Sequence, residues 1–149
     1  MTLATEFESR SEEDTQQLGE RLGARLVGGE VLFLCGDLGV GKTQFTKGVA
    51  RGLGVSDEVV SPTFTLAVQY QGRMPIVHYD LYRVENESEL REIGFLETDD
   101  PRTVSIVEWG DRTRIPDDAV RIDLRIDSDA DQGPVRRIQM RGLPAGVTL

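Results

Sequence analysis

Gly36-Asp37-Leu38-Gly39-Val40-Gly41-Lys42-Thr43 fits the pattern G-x-x-x-x-G-K-S/T, a loop whose backbone N–H groups cradle phosphates. Its flanks fit as well. Val31-Leu32-Phe33-Leu34-Cys35 before it is a continuous apolar run of the kind buried as a central parallel strand. From Thr43 to Leu53, Phe45, Val49 and Leu53 recur at helical spacing, and Gly54 is a natural stop. Glycines let the backbone wrap an anion, and the helix that follows adds its positive N-terminal end. Lys42 is placed to reach β- and γ-phosphates, and the Thr43 hydroxyl to ligate Mg²⁺. The competing reading is a plain glycine-rich turn between strand and helix.

The chain has 149 residues, most simply one domain, 1–149, able to bury a core without disulfide or metal staples. No apolar run reaches membrane-spanning length, and Met1-Thr2-Leu3-Ala4-Thr5-Glu6 lacks the basic and apolar regions of a signal peptide, so a cytoplasmic location is expected. Cys35 is the only cysteine, which excludes an internal disulfide, and its place in the apolar run reads as a packed small hydrophobe. The formal net charge of −9 argues against direct binding of a nucleic-acid backbone.

Outward from the loop, Leu3 to Phe7 reads as a short edge strand. Ser11 offers an N-cap for an amphipathic helix with Leu18, Leu22 and Leu26 on one face, leaning on the sheet and ended by Gly28-Gly29. Ala67 to Tyr70 and Pro75 to Tyr79, joined by Gln71-Gly72-Arg73, read as a β-hairpin. Asn86 caps the next helix with Glu89 as its box partner, and Gly94 stops it. Thr103 to Trp109 is a second buried-looking strand, ending on Glu108. Val120, Ile122, Leu124 and Ile126 alternate with charged residues as a half-buried strand, and Arg137 to Met140 returns antiparallel. The fold class predicted is α/β and P-loop NTPase-like: a central mixed, mainly parallel sheet flanked by helices, with antiparallel hairpins.

Several residues invite two readings. Glu108, an acid at a strand end, suits Mg²⁺. Asp80 reads equally as a carboxylate near the γ-phosphate or as a turn cap at the strand exit. His78, the only histidine, reads first as a satisfied strand histidine, and Trp109 as a packing anchor beside the site. Lys42 stands out because the chain has fifteen arginines and two lysines, the other being Lys47. Lys47 and Arg51 read as a solvated helix face, while Arg83 is compatible with an arginine finger.

Taken together, the loop, Ser61-Pro62-Thr63-Phe64-Thr65-Leu66, His78-Tyr79-Asp80-Leu81-Tyr82-Arg83, Glu89-Leu90 with Gly94, and Val107-Glu108-Trp109 resemble the bacterial TsaE (YjeE) family over nearly the whole chain. The resemblance implies a small ATPase of tRNA threonylcarbamoyladenosine biosynthesis. Such a protein uses ATP and Mg²⁺ to drive turnover of a TsaB–TsaD transferase complex and leaves the transfer itself to those partners. It implies catalytic roles for Lys42, Asp80 and Glu108, metal contacts from Thr43 and Glu108, and nucleotide contacts from Asp37, Leu38, Gly39, Val40, Gly41, Lys42, Thr43 and Gln44. Glu12, Trp109 and Gly133 are further nucleotide contacts it implies, and the Ser61 to Leu66 block would be switch-like. The chain departs from the family pattern at Gln44, Gly110 and Pro134. Docking on the modifying enzyme rather than on RNA reconciles tRNA modification with an acidic chain, so no strong direct tRNA binding and no membrane contact are expected.

Two other functions fit the same loop. A small-molecule kinase would pass the γ-phosphate to a bound acceptor, and a nucleotide-regulated binding module would hydrolyse only incidentally. GTP fits less well, since no N/T-K-x-D motif is present and Lys47 is followed by Gly48 and Val49.

Overall fold

The computed structural model describes residues 4–62, 66–131 and 133–149. Leu3 of the expected edge strand and Thr63, Phe64 and Thr65 of the switch-like block lie outside the described residues. The elements run β1 (Ala4–Ser9), α1 (Glu12–Arg25), β2 (Val31–Cys35), α2 (Lys42–Gly52), β3 (Ala67–Gln71), β4 (Pro75–Asp80), α3 (Glu87–Glu92), β5 (Val104–Glu108), a 3₁₀ turn (Gly110–Arg112), β6 (Val120–Asp127) and β7 (Val135–Arg141). Among the described residues no helix is long and apolar enough to cross a membrane.

One seven-stranded sheet has the order β1-β7-β6-β2-β5-β4-β3. Its centre, β6-β2-β5-β4, is parallel, and antiparallel pairs β3–β4, β6–β7 and β1–β7 finish the two edges. This is the predicted α/β arrangement, and the β3–β4 hairpin occurs where the Gln71-Gly72-Arg73 turn signal falls. Parallel register brings Leu34 of β2 opposite Glu108 of β5, and Asp80 of β4 opposite the same Glu108. The strand after which the glycine loop begins and the two strands ending on acids therefore finish side by side, in the crevice at the carboxyl edge where open α/β sheets bind ligands.

Alternation along β2 divides the core. Leu32 and Leu34 face one layer with Leu18, Leu22, Phe45, Val49, Ile122 and Ile138, while Phe33 faces the other with Tyr79, Leu81, Leu90 and Val107. Ser11 caps α1 by accepting from the Asp14 N–H at 3.0 Å, and Asn86 caps α3 by accepting from the Glu89 N–H at 3.2 Å. Glu89 reaches back one residue further than a capping box requires, accepting from the Glu85 N–H at 3.3 Å.

Helices α1 and α2 touch through bare backbone. A methyl group on Gly48 would lie 2.0 Å from the Gln16 carbonyl oxygen; on Gly52, 2.2 Å from that of Glu20; on Gly23, 2.2 Å from that of Val49; on Gly19, 2.4 Å from that of Phe45. Four glycines thus let two helices approach more closely than any larger residue allows. The first turn of α1 is held against the start of α2, beside the glycine loop.

Candidate functional site

The loop from Gly36 to Gly41 has the backbone its glycines make possible. Gly36 has φ +146° and sits so close to β6 that a methyl group would lie 2.4 Å from the Leu124 carbonyl oxygen, and Gly41 has φ +103° at the N-cap of α2. Val40 is buried in the core beneath the loop and anchors it. Lys42 folds back: its Nζ donates to the carbonyl oxygens of Gly36 at 2.6 Å and Asp37 at 2.8 Å, and it stands 3.9 Å from the centre of the Trp109 ring. Burial lowers the Lys42 ammonium pKa from its ordinary value, and the carboxylates of Glu108, Asp111, Asp80 and Asp37 act in the opposite direction.

Glu108 is 2% exposed, and each of its oxygens has a polar neighbour. Thr43 Oγ1 donates to Oε1 at 2.9 Å, His78 Nε2 meets Oε2, and Thr46 Oγ1, which donates to the Lys42 carbonyl at 2.9 Å, stands 3.4 Å from the same Oε2. His78 therefore has a defined partner, which its sequence position does not reveal. His78 Nδ1 is buried without a hydrogen-bond partner among the described residues. Asp80 is a turn cap at the strand exit and also faces the cavity. Its Oδ1 accepts from the Tyr82 N–H at 3.0 Å as a turn cap, its Oδ2 accepts from Ser61 Oγ at 2.8 Å, and the residue lines the same cavity as Lys42 and Glu108.

Trp109 takes a left-handed backbone, φ 58°, at the end of β5. That conformation is costly for a bulky side chain and is tolerated where surrounding contacts enforce it. Tyr82 packs on the indole with ring centres 4.9 Å apart, and the Arg112 guanidinium lies 5.5 Å from it. Gly110 follows because a methyl group there would lie 2.8 Å from Phe33 Cβ.

These groups enclose a cavity of about 450 Å³, within the size range of small-ligand sites. Of the residues singled out in the sequence, Glu12, Leu38, Gly39, Gly41, Lys42, Thr43, Gln44, Asp80, Glu108 and Trp109 line it. Asp37, Val40 and Gly133 do not. The Asp37 carbonyl holds Lys42, Val40 is core, and Gly133 belongs to the β6–β7 turn. Gln44 also accepts from Gln16 Nε2 at 2.6 Å, which ties α2 to α1 beside the loop. Ser61, Pro62, Leu66, Tyr82, Arg83 and Arg136 complete the lining, and of these Arg136 is the residue that motif reading passes over.

A glycine loop between a central parallel strand and its helix, with a lysine at the helix start and acids on the two neighbouring strand ends, defines an α/β domain of the P-loop NTPase-like class. A model of the family described as threonylcarbamoyl adenosine biosynthesis protein TsaE matches residues 9–138, and the chain belongs to that family. The tRNA threonylcarbamoyladenosine biosynthesis protein TsaE of Treponema pallidum is 40% identical over 126 residues, covering 83% of this chain and 93% of that protein. The Streptomyces coelicolor protein of the same name is 36% identical over 140 residues, 86% of this chain and 90% of its own length. With the Bacillus subtilis protein of that name, identity is 46% over 98 residues, which span 61% of that relative. The crystal structure of Bacillus subtilis YdiB superposes with a TM-score of 0.73 at 28% identity, covering 96% of this chain and 88% of that one.

Proposed function

We propose that this chain is a Mg²⁺-dependent ATPase that acts in the cytoplasm in N6-threonylcarbamoyladenosine formation on tRNA, where ATP turnover drives the cycle of a TsaB–TsaD transferase. The observation that carries the reading is the contact between Thr43 at the start of α2 and the buried Glu108 at the end of β5, inside a cavity floored by the glycine loop. Family membership supports the pathway.

The donor set suits Mg²⁺. Thr43 Oγ1 and Glu108 Oε1 are 2.9 Å apart, close to the roughly 3.0 Å separating adjacent ligands of an octahedral ion with bonds of about 2.1 Å. Among the described residues no group of three or more His, Cys, Asp or Glu could hold a metal ion. Mg²⁺ beside a nucleotide takes one or two protein oxygens and completes its shell with phosphate and water. Bound there, Mg²⁺ would neutralise charge on the β- and γ-phosphate oxygens.

The remaining work falls to the protein's own groups. Loop amides and Lys42 bind and orient the phosphates, with Lys42 exchanging the Gly36 and Asp37 carbonyls for phosphate oxygens. Asp80, held by Ser61 and the Tyr82 N–H, orients the attacking water. The water oxygen bonds to the γ-phosphorus, the bond to the β–γ bridging oxygen breaks, and ADP leaves together with phosphate that carries the protons of the water.

Reconstitution with TsaB, TsaD and unmodified tRNA tests the reading, with ADP and modified adenosine followed together. Both should accumulate over many turnovers only when this chain, ATP and Mg²⁺ are all present. Stoichiometric phosphorylation of a metabolite would instead identify a kinase. Full modification supported by a hydrolysis-dead Asp80→Asn variant would identify a nucleotide-regulated binding module.

A further inference from the structure

The β6–β7 hairpin carries two adjacent arginines with opposite surroundings. Arg137 is ion-paired: its Nε donates to Asp127 at 3.0 Å, and its Nη1 donates to Glu8 at 2.9 Å and lies 3.6 Å from Glu6. Arg136 points the other way, in the row it shares with the buried Ile138 and Met140. There it has no carboxylate within ion-pair distance among the described residues, and its Nε is buried without a hydrogen-bond partner. A guanidinium stays charged at any working pH, so a buried N–H left unmatched is unfavourable unless something outside the chain accepts from it.

Topology says what stands opposite it. β6 runs parallel to β2, so its C-terminal end lies at the glycine-loop end of the sheet, and β7, antiparallel to β6, begins at that same end. Arg136 is the second residue of β7 and lines the cavity. A methyl group on Gly41 would lie 3.4 Å from Arg136 Nε and 3.7 Å from the Thr15 methyl, so the guanidinium stem lies against the last glycine of the anion-binding loop. In the strand order β7 is on one side of β2, while β5 and β4, bearing Glu108 and Asp80, are on the other. A transferred phosphate belongs on the carboxylate side, where metal and attacking water are handled. The β7 side is left for phosphates that stay with the nucleoside.

We propose that Arg136 is a nucleotide-binding residue that reaches over Gly41 to hold the non-transferred α- and β-phosphates from the side opposite the Thr43–Glu108 pair. This rests on the nucleotide reading of the cavity. It separates Arg136 from an arginine finger, which would act on the γ-phosphate and affect ATP alone.

The test is equilibrium binding of Mg-ADP and Mg-ATP to the purified wild-type chain and to Arg136→Gln, Arg136→Lys and Arg137→Gln. Loss of a charge-assisted phosphate contact should weaken Arg136→Gln for both nucleotides alike, by about 10- to 100-fold. Arg136→Lys, which keeps the charge without the fork, should fall between, and Arg137→Gln should bind as wild type. Wild-type affinity in Arg136→Gln, or a loss confined to ATP, would overturn the proposal while leaving the ATPase reading intact. Failure of the wild-type chain to bind either nucleotide would overturn both. Should Arg136→Gln melt early, the comparison of Arg136→Lys with wild type carries the decision by the same criteria.

Discussion

Gly48→Ala is the substitution for which the helix pair makes the sharpest demand. The added methyl would sit 2.0 Å from the Gln16 carbonyl oxygen, 2.8 Å from its carbon and 2.9 Å from its Cα. Carbon and carbonyl oxygen do not approach closer than about 3.3 Å, so α1 and α2 must part by roughly 1.3 Å at that point. The obstacle is main chain, which no rotamer change removes. Parting the helices loosens the layer of Leu18, Leu22, Phe45 and Val49, and a gap of this size forfeits a quarter or more of each contact. Overpacking of this kind costs about 1–3 kcal/mol and occasionally more, whereas alanine returns about 1 kcal/mol of helix propensity. With backbone on the receiving side the upper end applies, and a net loss of about 2 kcal/mol lowers the melting temperature by roughly 4–8 °C in a chain of this size. Thermal and urea unfolding of the purified protein measure it. Adding Gln16→Ala should not rescue the variant, since the clash is with that residue's backbone. A Gly48→Ala protein as stable as wild type, or more so, would refute the close-approach argument.

Two further perturbations follow from the same structure. Burial raises the Cys35 thiol from an ordinary 9.0 to about 11. The folded chain then keeps a proton that the unfolded chain loses. The stability this supplies is complete below pH 9 and is lost as pH rises from 9 to 11, by roughly 2–3 kcal/mol. Urea unfolding across that range should fall more steeply for wild type than for Cys35→Ala, and parallel curves would contradict it. Trp109 should report on nucleotide, because Lys42 stands 3.9 Å over its ring and must turn to phosphate when the site fills. Its fluorescence should change on adding Mg-ATP and stay unchanged in Lys42→Ala, while an unresponsive wild-type signal would contradict the exchange.

Much of this fold is legible in the residues because local rules and tertiary demands agree there. The apolar run of β2, the glycines that follow it and the Ser11 and Asn86 caps each specify their own structure. β5 ending on Glu108 and the alternation of β6 are equally local signals. Helix α1 shows where that stops. Leu18, Leu22 and Leu26 predict a face leaning on the sheet, and they are buried. Gly19 and Gly23 in the same helix look like mere weak positions until Gly48 and Gly52 of α2 are found against them. Close approach belongs to a pair of helices, and neither sequence states it alone. His78 is similar, since its partner Glu108 is thirty positions away and meets it only through the β4–β5 register. Arg136 and Arg137 look interchangeable in sequence. The parity of β7 and the end of the sheet at which it starts are what separate an ion-paired surface arginine from one facing the glycine loop.

On the proposed function, Thr43 and Glu108 make a metal-assisted ATP hydrolysis site. This is tested most directly by ADP release in the presence of TsaB and TsaD, wild type against Glu108→Gln. Glutamine keeps the size but sets an N–H₂ against the Thr43 hydroxyl or His78 Nε2, so a stability loss of about 1–3 kcal/mol is expected and is measured alongside. At temperatures where both proteins are folded, wild type should show Mg²⁺-dependent turnover and the variant a fall of at least about 100-fold. A folded Glu108→Gln protein releasing ADP at close to the wild-type rate would contradict it.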